Sequence, residues 1–271
     1  MITAANLLIP MASEDGEFHA PGISEFLGLP ALFFEGTPFE INRIILVRLV
    51  AIAVMMLLFW LALRKPNRVP GRNQSIAELA LGFVQVQIAD QILGKEMGRR
   101  YLPLLAGMFF GILAMNITGV VPFMNISGTS IIAMPLLLGL VAYVVFIYAG
   151  IKAVGTGKFI KNSLFAAGVP WPIYILLAPS EFINIFIVRP LSLALRLLLN
   201  MMVGHLLLVL CFSATNFFFF TAGGWAGLFG VGTLAFGFVF TFVEFAVYIL
   251  QAYIFTLLTA VYVQQAVAEE H

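Results

Sequence analysis

Arg189, Ser192, Arg196 and Asn200 recur at steps of three, four and four residues along an otherwise apolar stretch. Those steps place all four on one face of a helix. Arg196 lies about fifteen residues from either end of the apolar stretch, where a guanidinium costs roughly 3 kcal/mol on insertion scales unless it faces a partner or a wet cavity. It cannot relieve that cost by shedding its proton. What such a group offers is a permanent positive charge that favours a passing carboxylate and repels a proton. Arg189 sits nearer the end of the stretch and precedes Pro190, so its side chain can also be satisfied by extending to the interface.

His205 follows Arg196 by nine residues, about 180° around an ideal helix. The two therefore look into different surroundings. In the next apolar stretch Glu244 and Gln251 are seven apart, again on one face. If these two stretches form an antiparallel hairpin, residues at equal depth keep a nearly constant index sum. Arg196 with Gln251 gives 447 and His205 with Glu244 gives 449, so one register levels both pairs. A carboxyl beside an imidazole can pass protons near neutral pH, and both need hydration inside a membrane. Two independently tolerated polar residues are the competing reading. Asn116 and Asn125 can extend a wet path towards the same side or serve as hydrogen-bonding groups.

These residues must be positioned by membrane helices. Of 271 residues, 62% are hydrophobic and 10% charged, and the mean hydropathy is +1.04. No soluble domain of this size hides so much apolar surface. The chain therefore reads as an all-α polytopic membrane protein with five spans, over about 41–63, 101–121, 131–151, 181–213 and 228–263. The last two are longer than a crossing needs and are expected to tilt as a hairpin. Ser75 to Glu78 has the capping-box pattern. After it Ile76, Leu79, Phe83 and Val86 mix with Glu78, Gln85 and Asp90, predicting an amphipathic helix over 75–97 on the cytoplasmic membrane surface. A soluble loop helix is the alternative.

Arg64, Lys65, Arg68, Arg72, Lys95, Arg99 and Arg100 flank the first connection, and Lys152, Lys158 and Lys161 cluster in the third. The two opposite loops carry no basic residue. The positive-inside rule then places residues 1–40 outside, one membrane domain over 41–265, and 266–271 in the cytoplasm. Acidic residues but no lysine or arginine occupy the first forty positions, so a cleaved signal is not expected. Phe217 to Phe220 and Trp225 read as interfacial aromatics, and the lone Cys211 as a packing residue. The net charge of +1 gives no reason to expect a nucleic-acid partner.

At these residues the chain resembles subunit a of F-type ATP synthases. The motifs are Arg189-Pro190-Leu191-Ser192-Leu193-x-Leu195-Arg196-Leu197 with Asn200-Met201, then Gly204-His205-Leu206. Gln251-Ala252-Tyr253-Ile254-Phe255 with Leu258-Thr259 and Tyr262, and Asn116-x-x-Gly119-x-x-Pro122, complete the set. The likeness spans roughly residues 40–265. It implies that Arg196 is the stator arginine facing a ring of c subunits, with Gln251 its neighbour and Asn200 on the same face. It implies that His205 and Glu244 hold the outer half-channel, in the arrangement of mitochondrial members rather than the reverse one of some bacterial members. Glu181 loosely matches an acidic position before the Arg-Pro pair. With Arg189, Ser192, Asn116 and Asn125 it is a candidate channel-lining residue.

The implied partners are the c-ring, b-type peripheral-stalk subunits, the rest of the synthase and the lipid membrane, in a bacterial plasma membrane. No catalytic residue, cofactor or metal is implied. Rival classes fit less well. A secondary transporter usually shows repeated halves. A haem protein needs axial ligands, but His205 is the one histidine within a span. A hydrolase needs a triad or metal set. An autonomous ion channel is the remaining alternative.

Overall fold

Apolar stretches in lipid keep their backbone hydrogen bonds within one helix, because the hydrocarbon offers no partner for a free N–H or C=O. The computed structural model describes residues 22, 31–33, 41–64, 71–121, 127–159, 171–222 and 224–268. Among them five helical stretches are long and apolar enough to cross a bilayer. Helix α1 is Arg43–Leu63. Helix α2, Arg72–Val84, passes through a π-helical stretch, Gln85–Leu93, into α3, Gly94–Ile117. Helix α4 is Ala133–Val154. Helix α5, Trp171–Ile183, passes through a second π-helical stretch, Asn184–Val188, into α6, Arg189–Asn216. A third, Phe217–Ala222, ends α6, and a 3-10 turn at Gly224–Ala226 leads into α7, Gly227–Ala268. The all-α polytopic fold is as expected. Its one addition is a short antiparallel pair, β1 (Ala31–Phe33) with β2 (Ile41–Asn42), in which Ala31 opposes Asn42 and Phe33 opposes Ile41.

The amphipathic segment begins earlier than its sequence suggests. Ser75 lies inside α2, its N–H donating to the Gly71 carbonyl at 2.9 Å. Glu78 Oε1 accepts from Gln74 Nε2 at 2.7 Å, so the expected capping box does not start this helix. Ile76, Leu79, Phe83 and Val86 are exposed, whereas Ala77, Val84, Ile88 and Ala89 are buried. Gly94, at φ 76°, takes the break before α3, a conformation in which a side chain is strained. The last two apolar stretches run to 46 and 44 residues, well beyond the roughly 20 a crossing requires. Asn125, the tail 269–271, and most of residues 1–40 and of the 155–172 loop lie outside the described residues.

The chain divides into two compact units. The first comprises Met1–Ala51, Met115–Ser130 and Leu199–Ile249. Within it α6 and α7 pack as an antiparallel hairpin. A Cβ on Gly204 would meet Glu244, and one on Gly237 would sit 3.4 Å from Cys211 Cβ. The hydroxyls of Thr215 and Thr233 are 2.8 Å apart. These three pairs share one index sum, 448. The second unit comprises Ile52–Ala114, Ile131–Leu198 and Leu250–His271. Its core gathers Phe146, Phe159, Ile185 and Ala266. Gly139 of α4 lies against the α6 backbone, where a Cβ would be 2.9 Å from the Pro190 carbonyl oxygen.

Candidate functional site

In the first unit the polar groups gather around Glu244, which is 3% exposed. Tyr248, one helical turn further along α7, donates its hydroxyl to Glu244 Oε1 at 2.7 Å. The second carboxyl oxygen, Oε2, is buried with no hydrogen-bond partner among the described residues. Opposite, a Cβ on Gly204 would come within 2.7 Å of Oε1. A residue without a side chain is thus what lets the carboxyl lie against α6. His205 follows directly and is buried, 7% exposed. The hairpin register therefore brings the acid and the imidazole to one level, as their index sum suggested.

The end of α3 joins this set. Gly119 packs against the Tyr248 hydroxyl, and its N–H donates to the Asn116 carbonyl at 3.0 Å. Asn116 is fully buried. Its Oδ1 accepts from the Thr129 hydroxyl at 2.6 Å, while Nδ2 has no partner among the described residues. Ser127, Thr129 and Ser130 are buried beside it. Buried polar groups are nearly always hydrogen-bonded, to protein or to ordered water. Glu244 Oε2 and Asn116 Nδ2 thus keep unspent bonding capacity within one buried polar cluster.

The second unit holds Arg189 and Arg196. On α6, Leu193, Ala194, Leu197 and Leu198 are buried, each at or below 8% exposure, whereas Arg196 is exposed. No hydrogen-bond or ion-pair partner for Arg196 is found among the described residues. Arg189 is housed differently. Its guanidinium lies 5.2 Å from the Tyr262 ring centroid and 5.6 Å from that of Phe146, a cation–π arrangement that makes an intramembrane charge tolerable. Ser192 turns back and donates to the Arg189 carbonyl at 3.0 Å. Gln251 is 2% exposed. Asn200, in the first unit, is exposed, and Glu181 on α5 is half-buried.

Four residues of this arrangement escape the sequence reading. Thr129 lies in a turn and nothing in its spacing marks it, whereas Tyr248 stands four residues after Glu244, a helical spacing that could have found it. Gly204 is visible only within a motif, and its fit to the Glu244 carboxyl needs the fold. Arg48 carries the same signal as Arg196, a charge inside an apolar run. It lies so near the start of α1 that reaching the interface accounts for it. Its Nε in fact donates to the Gly128 carbonyl.

The comparisons with known proteins converge. The profile of the family described as ATP synthase A chain matches residues 45–264. ATP synthase subunit a of Rhodococcus erythropolis is 48% identical over 256 residues, which are 94% of this chain and 93% of that protein. The subunit a of Frankia alni is 36% identical, over 97% of this chain and 91% of its own. That of Nocardioides is 33% identical over the full length of both. A profile match over most of the chain, and relatives aligned nearly end to end, agree with the residues gathered above: this chain belongs to the ATP synthase A chain family.

Proposed function

We propose that the chain is the proton-translocating stator of a bacterial rotary ATP synthase, working against a ring of c subunits in the plasma membrane. Protons arrive from outside past Asn116, His205 and Glu244 and neutralise a carboxylate on the adjacent ring. Once neutral, that carboxyl can turn into lipid, where its charged form would be penalised by several kcal/mol. After nearly a full turn it loses its proton to an inner aqueous path near the cytoplasmic ends of α6 and α7. Glu181, Arg189 and Ser192 are the candidates for lining that path. Arg196 separates the two paths, with Gln251 and Asn200 beside it. Its charge favours the ionised carboxylate as that group passes and blocks a direct proton leak.

Each charge moved through 100 mV releases about 2.3 kcal/mol. Rotation delivers this energy to a catalytic head on other subunits, held still by a b-type peripheral stalk. This chain does no bond chemistry itself.

One observation carries the reading: Arg196 stands on a helix that buries Leu193, Ala194, Leu197 and Leu198 on its other side, yet it looks out of its own chain from within an apolar stretch. A fixed cation presented there calls for an anionic partner on another polypeptide. Arg196→Ala in the assembled complex is expected to abolish both ATP synthesis and ATP-driven proton pumping in membrane vesicles. Normal synthesis in that variant would overturn the barrier role.

A further inference from the structure

We propose that Arg48 is a positioning residue of the outer proton path, gripping the Ser127–Ser130 turn and through it setting the amide of Asn116. This rests on the proton-stator reading above. Helix α1 buries Ile44, Val47 and Ala51, and the neighbouring Arg48 reaches from α1 to the turn. Its Nε donates to the Gly128 carbonyl, and a Cβ on Gly128 would stand 3.1 Å from both Arg48 Cγ and Met115 Cβ. From the other side the Gly128 N–H donates to the Met115 carbonyl at 2.9 Å. Gly128 is thus held between α1 and the end of α3 with no room for a side chain. The turn closes on itself through Ser130 Oγ, which donates to the Ser127 carbonyl at 2.7 Å. Thr129, fixed in this way, donates to Asn116 Oδ1 at 2.6 Å.

With Oδ1 accepting from Thr129, the Asn116 atom left without a partner among the described residues is its donor, Nδ2. Arg48 likewise presents Nη2, and both nitrogens are buried with no partner among the described residues. The same unit holds two acceptors in that condition, Asn42 Oδ1 and Glu244 Oε2, and of these only the carboxylate can take up a proton. Water that accepts from fixed donors must point its own hydrogens elsewhere, and Glu244 Oε2 is there to receive them. Two clamped donors therefore orient the hydrogens of a water chain towards the acid. A guanidinium keeps its proton at every working pH, so this orientation does not titrate away. Among the described residues of this unit, the charged or titratable side chains are Arg43, Arg48, His205, Cys211, Glu244 and Tyr248.

The test uses the whole synthase in proteoliposomes, with ATP synthesis measured against outer pH at fixed inner pH and potential, and then the reverse. In Arg48→Gln, proton delivery from outside slows. Half-saturation moves about one pH unit to acid, a roughly tenfold loss in apparent affinity, while the rate at saturating outer acidity stays within about twofold. The inner-pH profile does not move. Arg48→Lys, which keeps the charge and one donor for Gly128, recovers part of the shift. Thr129→Val, close in shape, releases Asn116 Oδ1 and shifts the outer profile in the same direction. If Arg48→Gln fails to co-purify with the complex, Thr129→Val alone decides. The proposal is overturned if the outer profile stays put, if both profiles move equally, or if lysine does no better than glutamine. Arg196→Ala is run alongside. Normal synthesis there fails the stator reading, whereas its loss together with an unmoved outer profile in the Arg48 variants fails only this proposal.

Discussion

Glu244 and His205 lie at one level of a hairpin whose fit is asymmetric. The acid lies against Gly204, where a Cβ would be 2.7 Å from Oε1, and it is also held by Tyr248. A histidine at 244 would be bulkier against the same glycine. Even so, if the pair acts as a unit, His205→Glu combined with Glu244→His restores one acid and one imidazole at that level. The double variant is expected to retain more ATP-driven proton pumping than the worse of the two single variants. Pumping no better than that single variant would show that the two are uncoupled. This pair was readable in the sequence because each member is an ionisable group in an apolar stretch, detectable one residue at a time. Thr129 was not, because its role is one hydrogen bond to Asn116, 13 residues back along the chain; Tyr248, four residues after Glu244, could have been found from that helical spacing. Arg48 was hidden by position: near the end of a span a basic side chain has a simpler explanation.

The α6–α7 hairpin converts single residues into a level, and its register can be tested by two glycines that differ only in what they face. Gly204→Ala inserts a methyl against the Glu244 carboxyl, so that either the carboxyl or the hairpin must shift. Gly237→Ala meets Cys211 Cβ and Phe212 at 3.4 Å, an ordinary contact, and gains up to about 1 kcal/mol of helix propensity. The first is expected to lower the ATP synthesis rate about tenfold or more in assembled complexes. The second should leave it within about twofold. Equal tolerance of both changes would mean that the carboxyl does not depend on the space at 204. That five helices span could be read from apolar length alone, because lipid forces the backbone into helices wherever water is excluded. The start of α2 could not: a capping-box pattern names a helix start only where no residue upstream continues the helix, and Arg72 to Gln74 do. The π-helical stretches were also illegible. They arise from how the hydrogen-bond ladder widens locally, which no residue pattern here announces.

For the molecule as a whole, side assignment decides what every polar residue means. Helix α3 begins at Gly94, beside Lys95, Arg99 and Arg100, and ends past Asn116. Along α7, Glu244 precedes Gln251 by seven residues, about 10 Å of helix rise. Asn116 and Glu244 therefore belong to the side opposite the basic connections. On the orientation proposed from the positive-inside rule that side is the outer one, and only in that orientation does their cluster serve proton uptake rather than release. An alkaline phosphatase fused after His271 is expected to be inactive in intact cells, because it would remain in the cytoplasm, while a fluorescent protein at the same junction should fluoresce. Fusion ahead of Met1, behind an export signal, should give the opposite pair of results. Active phosphatase at the C-terminus would turn the molecule over. Asn116, His205 and Glu244 would then line the release path, the outer-pH shift expected of Arg48→Gln would appear on the inner side instead, and Arg196 alone would keep its role, since a barrier between two paths is the same from either face.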